Sequence, residues 1–471
     1  MTKIEHPNLS YVVLLAATAA LGGLLFGFDV AIITGAGPFL EKHFQLNQLA
    51  LGWAFSSLLF GCVLGSATAG WISDKLGRRS PLLWVAALFA LTSLASGSAT
   101  NFELFILARF LGGIAVGAVS VLAPLYVSEV SPAVIRGRMG ALYQLAIVVG
   151  VLASFCINYL LRNTGDWNWR WMFISGAVPS IVFFLLMWRA PETPRYLIKA
   201  GKKGEALSIL TRIEGKGRAE VECAEIAASL AGRTAAWADL NAPGTRRAVW
   251  VSFVLAILIQ VSGVNTVIDY APRIFQSAGW TIDSALLSTF FVGTINLVFT
   301  LGSFWVIDRI GRKPCYIVGS IGMAVALTGL LVAVLTGQFT GVKVLVCVLL
   351  YLAFFASCIG PVFWTLVPEI FPNRVRGEAM TVPVLTQWLA NAVVVLFFPW
   401  VFSEVGKAVT FGFLAFMCIC QALFTWRFLP ETKGRTLEEI EGFWILRPGD
   451  RLQVGEVSST GSLSDATING R

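Results

Sequence analysis

Long apolar runs separated by short charged loops set the organisation of this chain. The first, Tyr11 to Ala36, reads YVVLLAATAALGGLLFGFDVAIITGA and holds a single charged residue, Asp29. At about 1.5 Å per residue, a helix of this length crosses a bilayer with some tilt. Five runs of the same kind follow: Leu51 to Ser73, Pro81 to Ser98, Leu104 to Val127, Met139 to Leu161 and Trp171 to Arg189. Between Tyr196 and Arg247 the pattern changes to Lys, Glu, Ala and Arg. Apolar residues such as Ala206, Leu207, Leu210 and Ile213 recur there three or four apart, which predicts two or three amphipathic helices in water or at the membrane surface. Six more runs come after it: Val249 to Phe275, Leu286 to Ile307, Tyr316 to Leu335, Val342 to Leu366, Ala379 to Val401 and Ala408 to Phe428.

The pattern therefore predicts an all-α membrane protein with twelve transmembrane helices, numbered here as spans one to twelve in chain order. An N-terminal bundle occupies 1–195, a helical linker 196–247, and a C-terminal bundle with its end segment 248–447. The tail 448–471 is rich in Ser, Thr and Gly, a composition that predicts disorder.

Composition sharpens this picture. Charged residues make up 13% of the chain, against about 25% in soluble domains. The net charge of +8 would suit a nucleic-acid partner only if the basic residues formed one patch, and they do not. Lys75, Arg78, Arg79, Arg136, Arg138, the linker cluster, Arg309, Arg312, Lys313, Arg374 and Arg376 fall in alternate loops. The opposite loops carry only scattered cations such as Lys42, Arg162, Arg273 and Lys343. Positive residues anchor the cytoplasmic face, so the linker and both termini are expected there, in a cell (inner) membrane and with the bilayer as partner in place of nucleic acid. Most of the eight cysteines lie in spans without a CxxC pair, the pattern of buried free thiols. His6 and His43 are the only histidines, and HExxH, GxSxG and Walker A sequences are missing, which argues against a metal centre, a cofactor, an enzyme or an ATP-driven pump. The first run is too long for a secretory signal peptide, and it contains Asp29.

An internal repeat is readable without any alignment. Asp74, Gly77, Arg78 and Arg79 recur as Asp308, Gly311, Arg312 and Lys313. Glu129, Pro132 and Arg136 recur as Glu369, Pro372 and Arg376, and Pro191, Glu192 and Thr193 as Pro430, Glu431 and Thr432. Three motifs in register, each after an equivalent span, predict two six-helix halves of like direction about a cavity.

Charges inside or beside the spans carry the candidate chemistry. A carboxylate at membrane depth costs roughly 2.5–3.5 kcal/mol on insertion scales, which marks Asp29 as a functional candidate. Arg109, early in span four, reaches similar depth if that helix enters from the other side, so the two are expected to form a proton site and its counter-charge. Asp74, Arg78, Arg79, Glu129 and Arg136, with Asp308, Arg312, Glu369 and Arg376, are expected to form inner-face ion pairs that hold the halves together on the cytoplasmic side. Bonds of middling strength suit a gate, because both conformations must lie within a few kcal/mol of each other.

The motifs GGLLFGFD, DKLGRR, RFLGG, EVSPAVIRGR, PETPR, QVSGVN, DRIGRK, GPVFW, EIFPNRVRG, QWLAN and PETKGRT, in this order over nearly the whole chain, resemble the sugar porter family of the major facilitator superfamily. Within it, Asp at position 29 and Arg at 109 resemble the bacterial proton-coupled xylose and hexose symporters. The mammalian facilitative glucose transporters have a neutral amide at the first position. The resemblance implies a sugar site made by Gln144, Gln260, Asn265, Asn296, Gln387 and Asn391, with Trp364 and Trp388 as apolar faces for the ring. These residues also have a physical reading. An amide buried in an apolar helix needs a partner, and it offers both donor and acceptor to a hydroxyl.

Three positions depart from the family pattern: Ile259 stands for the first of two paired glutamines, Val151 for a further glutamine of the xylose symporters, and Asp269 for the first of two aromatic residues. Asp269 is expected either to pair with Arg273 one turn on or to face the outer gate. The chain is thus read as a monomeric secondary transporter that couples a proton to a monosaccharide, pentose or hexose, by alternating access. A facilitative uniporter and a sugar-sensing receptor are the alternatives.

Overall fold

The computed structural model describes residues 8–132, 134–231, 237–372, 375–433, 440 and 443–444; the side chains at 231, 237, 238, 243, 304 and 308 are not among them. His6, Arg374, the side chain of Asp308 and the tail 448–471 therefore lie outside the described residues. Twelve helices are long and apolar enough to cross a membrane: Leu9–Phe44, Gln48–Leu76, Arg79–Ser98, Phe102–Val130, Arg136–Leu161, Gly165–Arg189, Gly244–Asp269, Ile282–Ile307, Arg312–Leu335, Gly341–Glu369, Arg376–Val405 and Lys407–Phe428. Each contains most of a predicted run and extends it by polar ends. Asn8, Asn47, Asn101 and Thr281 cap spans one, two, four and eight by accepting backbone N–H groups three residues on. Exposed Trp71, Trp84, Trp188, Trp305 and Trp426 ring the ends nearest the linker, where indole suits a membrane–water boundary.

Spans six, seven and ten are interrupted within their length, and span eleven ends in a π-turn at Val401–Val405. Span six breaks at Gly176, between Asn168–Ser175 and Ala177–Arg189. Span seven, expected to be continuous from Val249 to Phe275, is instead three pieces, Pro243–Val261, Val264–Asp269 and Ala271–Ser277. The first break falls at Gly263, whose φ of +90° is readily adopted only by glycine. It frees the Ser262 carbonyl, which accepts from the Tyr351 hydroxyl of span ten at 3.0 Å. Irregular backbone at membrane depth is tolerated where protein satisfies it in this way. Span ten widens into a π-turn at Phe355–Ile359, just before Gly360 and Pro361.

Within the N-terminal half, small residues let helix backbones touch. A Cβ on Gly113 of span four would lie 1.9 Å from the Leu58 carbonyl oxygen of span two, and one on Gly27 of span one 1.9 Å from that of Ile147 in span five. The linker forms three helices, Pro194–Lys199, Lys203–Glu214 and Lys216–Ala231. They pack Leu197, Ile198, Ala206, Ile209 and Ile213 on Val12 of span one, and the Asn8 N–H donates to the Ile213 carbonyl at 2.9 Å. At the end of that second helix the Glu214 carboxyl lies above its ordinary range, because burial and the neighbouring acids Glu222 and Glu225 outweigh Arg218.

The two halves meet on the side away from the linker. Span two packs so closely on span eleven there that a Cβ on Gly52 would lie 1.9 Å from the Leu396 carbonyl oxygen. Phe55 stacks on Tyr270 with centroids 4.3 Å apart, Arg273 pairs with Glu41 at 3.2 Å, and Arg162 with Asp283 at 2.7 Å. On the linker side, no hydrogen bond, ion pair or ring contact among the described residues crosses between the halves. Gly137 and Gly377, at the linker-side starts of spans five and eleven, face open space.

Replacing Gly52 with Val should therefore hold this one closed side apart, the overpacking cost of about 1–3 kcal/mol falling on the closed arrangement alone. Helicity by circular dichroism should stay unchanged while amide hydrogen exchange rises in segments 44–52 and 396–405; unchanged exchange would show that the contact carries no closure.

Candidate functional site

Asp29 and Arg109 are brought together. Arg109 Nη1 lies 2.6 Å from Asp29 Oδ1, and Nη2 donates to the backbone carbonyl of the same residue at 3.0 Å. One guanidinium thus grips both the side chain and the main chain of span one. Arg109 is 2% exposed and Asp29 13%. Phe173 of span six places its ring 5.2 Å from the guanidinium carbon, adding a cation–π contact. Gly112 leaves room beside the second carboxylate oxygen, where a Cβ would stand 3.4 Å from Oδ2. That oxygen has no hydrogen bond among the described residues and is the atom at which a proton could be added without first breaking the pair.

The amides and rings assigned to a ligand are only partly assembled. Asn265 donates to Gln260 Oε1 at 2.9 Å, so these two satisfy each other across the break of span seven. Trp388 packs on Phe26 of span one at 5.5 Å, a contact between halves at the level of the site. Asn391 is buried one turn beyond Gln387, whose Oε1 is enclosed without a partner. Among the described residues Asn296 accepts only from Thr300 in its own helix, at 3.5 Å. Gln144 makes no hydrogen bond among the described residues, and Trp364, 42% exposed, touches Phe363 edge to face. Spans seven and eleven contribute the buried part of the set, Gln260, Trp388 and Asn391. Val151 and Ile259 are apolar contributors at their own positions, packed into the core. Among the described residues no group of three or more His, Cys, Asp and Glu could hold a metal ion.

The linker-side charges form two copies of one arrangement, and the expected clasp between halves is not what they make in this conformation. In the N-terminal half Arg78 pairs with Glu129 at 2.9 Å and more loosely with Asp74 at 3.8 Å, and Asp74 pairs with Lys199 at 3.0 Å. In the C-terminal half Arg312 pairs with Glu369 at 3.3 Å. Both pairs close within one half. The side chains of Arg79, Arg136 and Arg376 make no ion pair among the described residues; they donate to the carbonyls of Met187, Ser131 and Phe371. Carbonyls at a helix C-terminus lack intrahelical donors and attract cations, so a nearby guanidinium turns to them.

Two acids were missed as site residues although their motifs were visible. Glu192 Oε1 accepts from the Arg78 N–H at 2.9 Å and Oε2 from that of Arg79 at 3.1 Å; Glu431 does the same for Arg312 and Lys313, each at 3.1 Å. Each carboxylate closes the N-terminus of the third helix of its half, where unpaired N–H groups and the helix dipole favour an anion. The glycine of the loop is required for this. A Cβ on Gly77 would come within 2.2 Å of Glu192 Oε2, and Gly77 and Gly311 have φ of +84° and +97°. The repeat of Pro-Glu-Thr was the available signal.

Asp269 does not pair with Arg273. That guanidinium is taken by Glu41 and Gln48 of the other half, while Asp269 faces a small space behind it.

Comparison with known proteins agrees with this architecture. The model of the family described as sugar (and other) transporter matches residues 15–444. The D-xylose-proton symporter of Escherichia coli (strain K12) is 38% identical, covering 93% of this chain and 96% of the relative. The arabinose-proton symporter of Bacillus subtilis (strain 168) is 36% identical with the same coverages. The solved structure of the xylose transporter XylE from E. coli in a partially occluded inward-open conformation superposes with a TM-score of 0.82 at 36% identity, covering 91% of this chain and all of that one. The chain belongs to the sugar transporter family, and it is a multi-pass membrane protein with the major facilitator fold.

Removing one partner of an enclosed ion pair strands the other, at a cost of about 3–5 kcal/mol. Arg109→Gln should therefore lower the melting temperature of the purified protein well below that of wild type, whereas Arg109→Gln combined with Asp29→Asn should recover most of the loss. Additive losses in a thermal-shift assay would mean that the pair is not energetically coupled.

Proposed function

We propose that the protein is a proton-coupled symporter of a monosaccharide, a pentose or hexose, working by alternating access in a cell inner membrane as a monomer with both termini cytoplasmic. The observation that carries this reading is the Asp29–Arg109 pair, enclosed at membrane depth with one carboxylate oxygen left free. The names of the relatives, which join protons to xylose and arabinose, point the same way. The moving bodies are the bundles 1–195 and 248–447; the linker 196–247 joins them and the segment 448–471 is a tail.

With the linker inside, closure on the opposite side makes the present arrangement inward-open. Asp29 is then ionised and clamped by Arg109, the state expected after a proton has left. In the outward-open arrangement Asp29 takes a proton at Oδ2, the grip of Arg109 loosens, and the acid can be occluded without a buried net charge. Sugar hydroxyls exchange for the mutual hydrogen bond of Gln260 and Asn265, and meet Gln144, Asn296, Gln387 and Asn391 from both halves. Trp388 and Trp364 offer apolar faces to the C–H side of the ring. Binding groups from both bundles gives the ligand differential affinity for the closed state, which is what drives a conformational change.

The linker-side residues Asp74, Arg78, Arg79, Glu129 and Arg136, with Asp308, Arg312, Glu369 and Arg376, have a double role in this scheme. Here they brace each half; when that side closes, Glu129 and Glu369 meet the cations of the opposite half.

Asp29→Asn should abolish uphill accumulation of D-xylose and sugar-driven alkalinisation outside proteoliposomes, while exchange of labelled for unlabelled sugar persists. A wild-type protein that equilibrates D-xylose without accumulating it, without moving protons and without any response to an uncoupler would refute symport and leave a uniporter.

A further inference from the structure

The membrane-embedded part holds a second acid, and its surroundings differ from those of Asp29. Asp269 closes the short helix Val264–Asp269 of span seven and is 6% exposed. Its carboxylate has no hydrogen bond or ion pair among the described residues, since the neighbouring Arg273 is held by Glu41 at 3.2 Å and by Gln48. It lines a cavity of about 20 Å³ between the halves together with Thr34, Glu41, Phe55 and Gln276. That is room for one water-sized species and none for a sugar. The Thr34 hydroxyl, 1% exposed, and the Gln276 amide nitrogen are enclosed there without partners as well. The groups facing Asp269 are Glu41 from span one, Tyr270 and Arg273 from its own span, and Arg109 from span four, which reaches it only through the field. Span two contributes Leu51 and Phe55 and no titratable group.

An ionised carboxylate that is nearly buried and has no hydrogen bond or ion pair is strongly disfavoured, and such a group takes up a proton instead. The enclosure of Asp269 is made by the same contacts that close this side: Arg273 with Glu41 and Gln48, and Phe55 on Tyr270. We propose that Asp269 is a proton-binding site loaded from the side opposite the linker, and that the gate on that side closes only over the protonated acid. The proton is taken from that side on closing and returned to it on opening, so it governs the gate without being carried across. The inference rests on the alternating-access reading above, but it does not depend on Asp29 being the coupling acid. For Asp269 the sign is fixed: closing takes up one proton there, so its contribution favours the closed gate at low pH and is lost as pH rises, by at most about tenfold per pH unit. Asp29, ionised in this arrangement and protonated in the outward-open one, contributes with the opposite sign, so Asp29→Asn is the background in which Asp269 is read alone.

Hydrogen–deuterium exchange on the purified full-length protein without sugar, between about pH 5 and 9 and corrected for intrinsic exchange, reads the gate through segments 41–48 and 271–277. In Asp29→Asn, protection of both should fall as pH rises, by up to about tenfold per unit. Asp269→Asn added to it should stay protected across the range, and the smaller neutral Asp269→Ser should give the same flat response if the Asn double variant does not fold. The wild type should show a shallower fall than Asp29→Asn, because its two acids oppose each other. A double variant that follows the Asp29→Asn curve overturns the proposal, as does an Asp29→Asn protein protected equally at every pH. Protection that follows sodium concentration at constant pH would assign the site to a metal cation and overturn the proton. Since no sugar is present, this result and the accumulation assay on Asp29→Asn can fail independently.

Discussion

A guanidinium enclosed at membrane depth is tenable only while negative charge stays beside it, and Arg109 imposes that condition on the N-terminal half. Its two terminal nitrogens hold the side chain and the main-chain carbonyl of Asp29, and Phe173 covers its face. Spans one, four and six are therefore tied through one cation. Neutralising the carboxylate would leave Arg109 with a carbonyl and a ring, a much weaker set, so under the proposed symport a proton arriving at Asp29 would change how three helices are held. A chemical event at one oxygen acquires mechanical reach because the charge cannot be hydrated where it sits.

The rest of the molecule divides into what keeps each half rigid and what lets the halves part. Rigidity comes from glycine-mediated backbone contact and from Glu192 and Glu431, which cap the third helix of each half and so fasten helix ends that adjoin in space but lie more than a hundred residues apart in sequence. The carboxylate caps are duplicated, as the repeat requires, while the backbone contacts through glycine fall in the N-terminal half. The contacts between halves are not duplicated. Arg273 with Glu41, Phe55 with Tyr270 and Gly52 against Leu396 all lie on one side, so the asymmetry of the state resides in the interface and the symmetry in the bodies.

Much of this was legible in the sequence, because a bilayer leaves few solutions for an apolar run and because the repeat prints the same turn twice. Span positions, the duplication and the meeting of Asp29 with Arg109 all follow from hydropathy, spacing and the cost of an isolated charge. What the sequence did not disclose depends on tertiary choice. Arg273 had an acid four residues away in Asp269 and took one from another span, since Glu41 stands at the mouth where its fork can also reach Gln48. Gln260 and Asn265 could each be read as facing a ligand, yet the break at Gly263 turns them onto each other. Arg136 and Arg376 repeat in register as ion-pair candidates, but they settle on carbonyls because a helix end within reach needs donors. Glu192 was readable as part of a motif and not as a cap, since the helix it closes starts 113 residues earlier in the chain.

The docking of the linker on span one has a mechanical corollary. Its helices up to Ala231 ride with the N-terminal bundle, whereas the short 3₁₀ segment Trp237–Asn241 leads directly into span seven. The linker helices thus add their mass to one body alone, so the two halves, alike in the plan of their spans, carry unequal loads when they swing.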